Sequence, residues 1–186
     1  MDNDPIHHPD LVHDLTKPFP DILERKLAEA DIIWMSPECR CFSMGSGNTH
    51  WDCHRRPKTL DAHISLQIVD VCKRVIADHP EAIYFIENPH GRLSWFLSSY
   101  EAIRHNVWYC QYGDTRAKPT WVWTNLRDWN SKSCRNGNPD CHHERAPRGS
   151  KTGTQGLPGS VERARIPRGL FEELFPLIDS QFKSSS

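Results

Sequence analysis

Two short segments of this chain hold residues able to do covalent chemistry. Pro37-Glu38-Cys39-Arg40-Cys41-Phe42-Ser43 contains two thiols, and Glu87-Asn88-Pro89-His90-Gly91 begins with a carboxyl group. A thiolate adds readily to an electron-poor conjugated carbon, and an acid placed on the far side of that system takes up the charge that develops. Cytosine is a ring that needs both groups. Its C5 is a poor nucleophile until a thiolate on C6 makes it enamine-like, and an acid beside N3 relieves the negative charge. The base has to leave the helical stack before either group can reach it. Cys39 is then the candidate nucleophile and Glu87 the candidate acid, with Cys41 a second thiol to be weighed. Glu38 beside Cys39 should raise the thiol pKa, and Arg40 on the other side should lower it. Taken singly, a cysteine after a strand is more often a small core residue.

The elements around these segments place them together. Residues 31–36 read as a short buried strand cut off by Pro37. Leu60, Ile64, Ile68, Val71, Cys72 and Val75 recur at helical spacing, and His79-Pro80 ends that helix. Residues 82–86 form a second apolar run, closed by Pro89. Strand, helix and strand make a βαβ unit with a parallel pair. Working groups in open α/β sheets gather beyond the carboxyl ends of the strands, so Cys39 and Glu87 are expected on one rim. Residues 107–112 and 120–124 read as two more strands about a Gly113-Asp114 turn. Residues 125–167 lack periodicity and read as one long loop. Residues 169–182 read as an amphipathic helix interrupted at Pro176, followed by a frayed tail. The expected fold is α/β, with a mostly parallel sheet.

Four segments, in order, resemble the DNA cytosine-5 methyltransferase family. Ser36 to Ser43 is similar to its nucleophile loop, a Pro-Cys pair followed by Phe-Ser, and alignment on Phe42-Ser43 selects Cys39. Glu87-Asn88-Pro89 resembles its Glu-Asn motif in the form carried by short phage-type members. Tyr112-Gly113-Asp114-Thr115-Arg116-Ala117-Lys118 resembles a later segment whose two basic residues meet the target base and its phosphate, and Ile166-Pro167 resembles the closing segment. The resemblance implies an incomplete Rossmann-like methyltransferase domain over residues 1–125, a DNA-contacting loop over 126–167 and a C-terminal helix over 168–186. It implies methyl transfer from S-adenosylmethionine to C5 of a flipped cytosine in double-stranded DNA, with Cys39, Glu87, Arg116 and Lys118 catalytic.

Two departures accompany it. Glu38 stands where the family has proline, and no glycine-rich cofactor turn precedes Asp31; Gly45 and Gly47 come too late to serve. Asp2 and Asp4 are similar to the acidic strand end that holds the cofactor ribose, Asp14 to the acid that meets the adenine, and Pro37 to a residue at the cofactor. On that alignment the chain starts one strand late, and a second polypeptide is expected to complete the cofactor site. The competing expectation is an inactive protein that keeps the fold and binds nucleic acid.

Composition agrees with a nucleic-acid partner. The 186 residues carry a net charge of −1, yet from Thr115 to Leu170 eleven Arg and Lys face four Asp and Glu. Such a basic stretch suits a phosphate backbone, and its other reading is a solvated loop. Mean hydropathy is −0.66, no apolar run approaches the roughly 20 residues of a membrane span, and the acidic N-terminus is no signal peptide. A soluble protein of the bacterial or phage-infected cytoplasm, with no membrane partner, is expected. Seven cysteines in no even framework suggest free thiols or metal ligands.

Cys134, Cys141 and His143, beside His142, form a candidate zinc cluster that His50, Cys53 or His54 could complete. Reduced surface cysteines are the plainer reading. A zinc nucleobase deaminase is excluded because its H-x-E and P-C-x-x-C signatures are missing. A thiol hydrolase pairing Cys39 with His90 would leave the basic segment unexplained.

Overall fold

Strand β1 (Ile32–Met35) and strand β2 (Ile83–Pro89) pair in parallel, with Ile32 opposite Ile83 and Met35 opposite Ile86. Helix α2 (Leu60–Asp78) connects them. Its first turn is capped by Thr59, whose hydroxyl accepts from the Ala62 amide at 3.2 Å, and it stops at His79 before Pro80. The computed structural model describes residues 1–2, 8–46, 48–144 and 160–185. Two further strands, β3 (Arg104–Trp108) and β4 (Pro119–Thr124), complete one sheet in the order β1-β2-β4-β3.

The sheet is mixed rather than mostly parallel. β4 runs antiparallel to both β2 and β3. The link between β3 and β4 is a 3-10 turn, Tyr109–Tyr112, reversed at Gly113 with φ +92°. So short a connection can return only an antiparallel strand; a parallel one needs a crossover of a dozen residues or more. β3 therefore points the same way as β1 and β2, and β4 is threaded between β2 and β3 against them.

Alternation along the strands divides the core into two layers. Ile83 and Phe85 of β2, with Val107 and Val122, pack on Leu170, Leu174 and Ile178 of helix α4 (Arg168–Ser185). Ile86 and Trp123 pack on Ala62, Val69 and Cys72 of α2 on the other face. α4 is continuous through Pro176, contrary to the interruption and frayed tail expected there. Pro176 is exposed, so the carbonyl it frees faces water, while Leu170, Leu174 and Ile178 anchor the buried stripe at i, i+4 and i+8. Gly169 lets this helix start against the 3-10 turn, since a Cβ there would lie 2.6 Å from the Tyr112 carbonyl oxygen. Two short helices were not expected, α1 (Asp21–Ala28) and α3 (Ser160–Ala164), the latter inside the segment read as loop. Among the described residues no helix is long and apolar enough to cross a membrane.

Candidate active site

Strand directions bring four chain segments to one rim of the sheet. β1, β2 and β3 end there, delivering residues 36–43, 90–92 and Tyr109; β4, running against them, begins there and delivers Arg116 and Lys118. The His90 amide donates to the Pro119 carbonyl at 3.0 Å, locking the end of β2 to the start of β4. The antiparallel strand is thus what carries the Arg116–Lys118 segment to the rim that holds Cys39 and Glu87.

The loop that carries Cys39 is clamped to the loop after β2 at several points. Asn88, only 1% exposed, donates through Nδ2 to the Pro37 carbonyl at 2.8 Å. The Arg92 amide donates to Phe42 O at 2.8 Å and its guanidinium to Ser43 O at 2.7 Å. Between them Gly91 lies so close to Phe42 that a Cβ would sit 2.3 Å from the Phe42 oxygen. Successive residues of a strand point to opposite faces, and Glu87 and Asn88 divide their tasks accordingly. Glu87 meets Tyr109 and Lys118, whereas Asn88 holds the cysteine loop.

Of the two thiols, Cys41 is fully buried in the α2-side core, where its carbonyl accepts from Trp51 Nε1 at 2.7 Å, and Cys39 is exposed. Cys39 keeps solvent contact, yet desolvation by the protein around its sulfur is the leading reason its thiol pKa is raised. The Lys118 ammonium pulls the other way, and the carboxylates of Glu87 and Glu38 add to the rise. The lowering expected from Arg40 comes instead from Lys118, because Arg40 is paired with Glu38 at 3.1 Å and Asp61 at 3.3 Å. Glu87 is 6% exposed, and Tyr109 OH donates to its Oε1 at 2.9 Å. Lys118 Nζ stands 3.8 Å from the same oxygen, 4.5 Å from the Tyr109 ring centroid, and donates to the Arg163 carbonyl at 2.9 Å. Burial, and then Glu87, push the Tyr109 hydroxyl well above the ordinary tyrosine range, so it remains a donor at any working pH. His90 is stacked on Trp121 at 3.8 Å and its Nε2 pairs with Asn106 at 2.9 Å, an arrangement that commits the ring elsewhere than the Cys39 thiol.

The remaining expected residues fare unequally. Arg116 is paired with Glu144 at 2.8 Å, and its amide donates to Asp114 Oδ1 at 2.9 Å. Asp14 is an exposed turn residue whose carboxylate accepts from the amide and hydroxyl of Thr16, which lowers its pKa. Asp2 is tied by its backbone to Leu11 and His13. Asp4 and the basic residues Arg145, Arg148 and Lys151 lie outside the described residues. Pro37 lines a groove of about 330 Å³ together with Leu15, Phe19, Leu23, Trp34 and Val71. That groove adjoins the Cys39 loop and is large enough for a small ligand. Its apolar walls suit a purine ring. Among the described residues that line it there is no Asp or Glu, so these residues offer a ribose diol or a methionine ammonium no carboxylate and fit S-adenosylmethionine only in part.

A second constellation lies in the basic segment. Cys134, Cys141 and His143 come together as expected from their types, but the fourth member is Cys110 from the turn after β3, with all four ligand atoms within 4.8 Å of one another. His50 instead pairs with Thr59 at 2.8 Å, and His142 with the Asp114 carbonyl at 3.0 Å. Sequence reasoning also passed over Tyr109 and Arg92. Neither had a local signal, since an aromatic in a strand and an arginine in a turn are both common surface or core choices.

The chain is 26% identical over 168 residues to the Probable DNA (cytosine-5)-methyltransferase of Frog virus 3 (isolate Goorha), a match covering 82% of this chain and 77% of that protein. No protein-family model matches the chain, and no solved structure matches it.

Proposed function

We propose that this chain is a methyltransferase-fold protein that carries out cytosine C5 chemistry on DNA through Cys39. The observation that carries this reading is the convergence of Cys39, Glu87, Tyr109 and Lys118 on one rim, with Asn88 and Gly91 locking the nucleophile loop beside the acid. The similarity to the viral protein supports it.

Cys39 gives up its proton and its thiolate forms a bond to C6 of a flipped cytosine. The C5–C6 π pair moves toward C5 and N3, and N3 takes a proton from Glu87. Overall, the proton leaving Cys39 reappears on N3 with Glu87 as its carrier. Tyr109 occupies Oε1, leaving Oε2 to face the ring, and Lys118 favours the thiolate by its charge. S-adenosylmethionine is the proposed source of an electrophilic methyl group. With a methyl group on C5, release of the C5 proton to solvent, departure of the Cys39 thiolate from C6 with the S–C6 electron pair, and return of the N3 proton to Glu87 would restore the aromatic ring. Arg116 and the basic segment hold phosphates.

Tritium release from DNA carrying [5-³H]cytosine tests the addition step without any methyl donor, because the enamine-like C5 exchanges its hydrogen with water. Release that depends on Cys39 is the expected result; none, at protein concentrations that saturate the DNA, refutes the chemistry. The lack of a carboxylate among the described residues of the groove favours a second reading, a protein that binds DNA and lacks its own complete cofactor site, which a second polypeptide would finish. Calorimetry separates the two: weak S-adenosylmethionine binding is expected of the chain alone, and tight binding would remove the second reading.

A further inference from the structure

The geometry points to a metal site: we propose that Cys110, Cys134, Cys141 and His143 bind one zinc ion, and that the metal fixes Arg116 at the reaction rim. The first half stands independently, and the second rests on the function proposed above.

Three sulfurs and one imidazole nitrogen are the donor set of structural zinc, which takes them tetrahedrally with Zn–S bonds of about 2.3 Å and so spaces ligand sulfurs about 3.8 Å apart. Cys134 Sγ and His143 Nδ1 are already 3.9 Å apart, and no pair of ligand atoms exceeds 4.8 Å, so closing around a metal needs movements of only about 1 Å. Cys110 and His143 are 1% and 8% exposed, which makes a chance gathering of surface thiols a poor account. Amide donors already point at the sulfurs: Gln111 Nε2 lies 3.3 Å from Cys141 Sγ, and Asn138 Nδ2 lies 3.6 Å from Cys134 Sγ. Such N–H groups steady metal-bound thiolates, whereas a neutral thiol is a weak acceptor. Coordination through Nδ1 leaves the imidazole proton on Nε2, where the Gly137 amide now donates at 3.1 Å. Metal entry must therefore turn that peptide, at a glycine whose φ of +73° marks a tight turn.

The need for such a staple follows from the segment itself. Residues 125–144 form no helix and no strand of the sheet, so little besides Leu126 and Trp129 anchors them through apolar burial. The ligands sit where they control Arg116. Glu144 directly follows His143, its amide donates to Thr115 O at 2.8 Å, and its carboxylate holds the Arg116 guanidinium at 2.8 Å.

Metal analysis of the whole chain purified without added zinc should find about one zinc per molecule. Cobalt loading should give strong thiolate-to-metal absorption. Chelation should expose three more thiols to a thiol reagent and speed amide exchange at residues 114–116 and 141–144. Cys134→Ser should lose the metal; should that variant misfold, chelation of the native chain carries the same test. Zinc content near zero when zinc is supplied during expression, or a mass two hydrogens lower from a disulfide among these cysteines, overturns the site. Bound zinc whose removal leaves exchange at 114–116 unchanged overturns the link to Arg116. Metal results as expected beside a blank tritium-release assay would fault the proposed function and leave the metal site standing.

Discussion

Gly91→Ala should loosen the candidate site without touching any reacting group. The backbone there is extended, with φ 178°, so alanine meets no conformational barrier and the whole effect is spatial. Its Cβ would stand 2.3 Å from the Phe42 oxygen and 3.2 Å from its carbon, against 3.4–4 Å for ordinary van der Waals contact. The two loops must part by about 1 Å to bring that oxygen back to an ordinary separation. The same Phe42 oxygen accepts the Arg92 amide and the next carbonyl accepts its guanidinium, so both bonds stretch together. Overpacking of this kind costs about 1–3 kcal/mol, a fall in Tm of about 2–12 °C for a chain of this size. A nucleophile displaced by about 1 Å loses up to about 100-fold in rate. Differential scanning calorimetry reads the first effect, and tritium release from [5-³H]cytosine DNA the second. An unchanged Tm with release within twofold of the native rate would show that the close approach of Gly91 to Phe42 does not set the position of Cys39.

Lys118→Met should move the pH–rate profile of Cys39 alkylation by iodoacetamide to higher pH, because the ammonium that favours the thiolate is gone while desolvation and both carboxylates remain; a profile that stays put would separate Lys118 from the thiol. Cys39→Ser should abolish tritium release while DNA affinity holds. Cys41→Ser should instead lower stability by about 1–3 kcal/mol, as a hydroxyl enters a fully buried apolar site, and comparable loss of release from Cys41→Ser without destabilisation would reassign the nucleophile. Replacing Arg145, Arg148 and Lys151 together with alanine should weaken DNA binding uniformly across sequences and flatten the salt dependence by about one unit of slope for each phosphate no longer neutralised; an unchanged slope would return the segment to a solvated loop.

What could be read in advance was local. Two short apolar runs closed by Pro37 and Pro89, and the helical spacing from Leu60 to Val75, mark β1, α2 and β2, and the βαβ rule then brings residue 39 and residue 87 to one rim. The place of β4 was hidden because nothing within Pro119–Thr124 says which strands it will separate; burial on both faces of the sheet decides that. Pro176 misled because the helix is held by tertiary packing of Leu170, Leu174 and Ile178, which outweighs a hydrogen bond lost on the water side. Cys110 looked like any small residue at the end of a strand. Its nearness to Cys134 and Cys141 arises only when the segment after β4 folds back over the turn after β3.

The insertion of β4 between β2 and β3 also sets the order in which the site can come into being. A growing chain releases Cys39 and Glu87 before Tyr109 and Lys118, and a domain folds as a unit once its parts have emerged. Until the β3–β4 hairpin forms and docks against β2, Glu87 has no phenol beside it and the thiol has no ammonium to favour its ionisation. The nascent protein therefore carries Cys39 and Glu87 without the phenol and the ammonium that complete the constellation, and the assembled site arrives together with closure of the sheet.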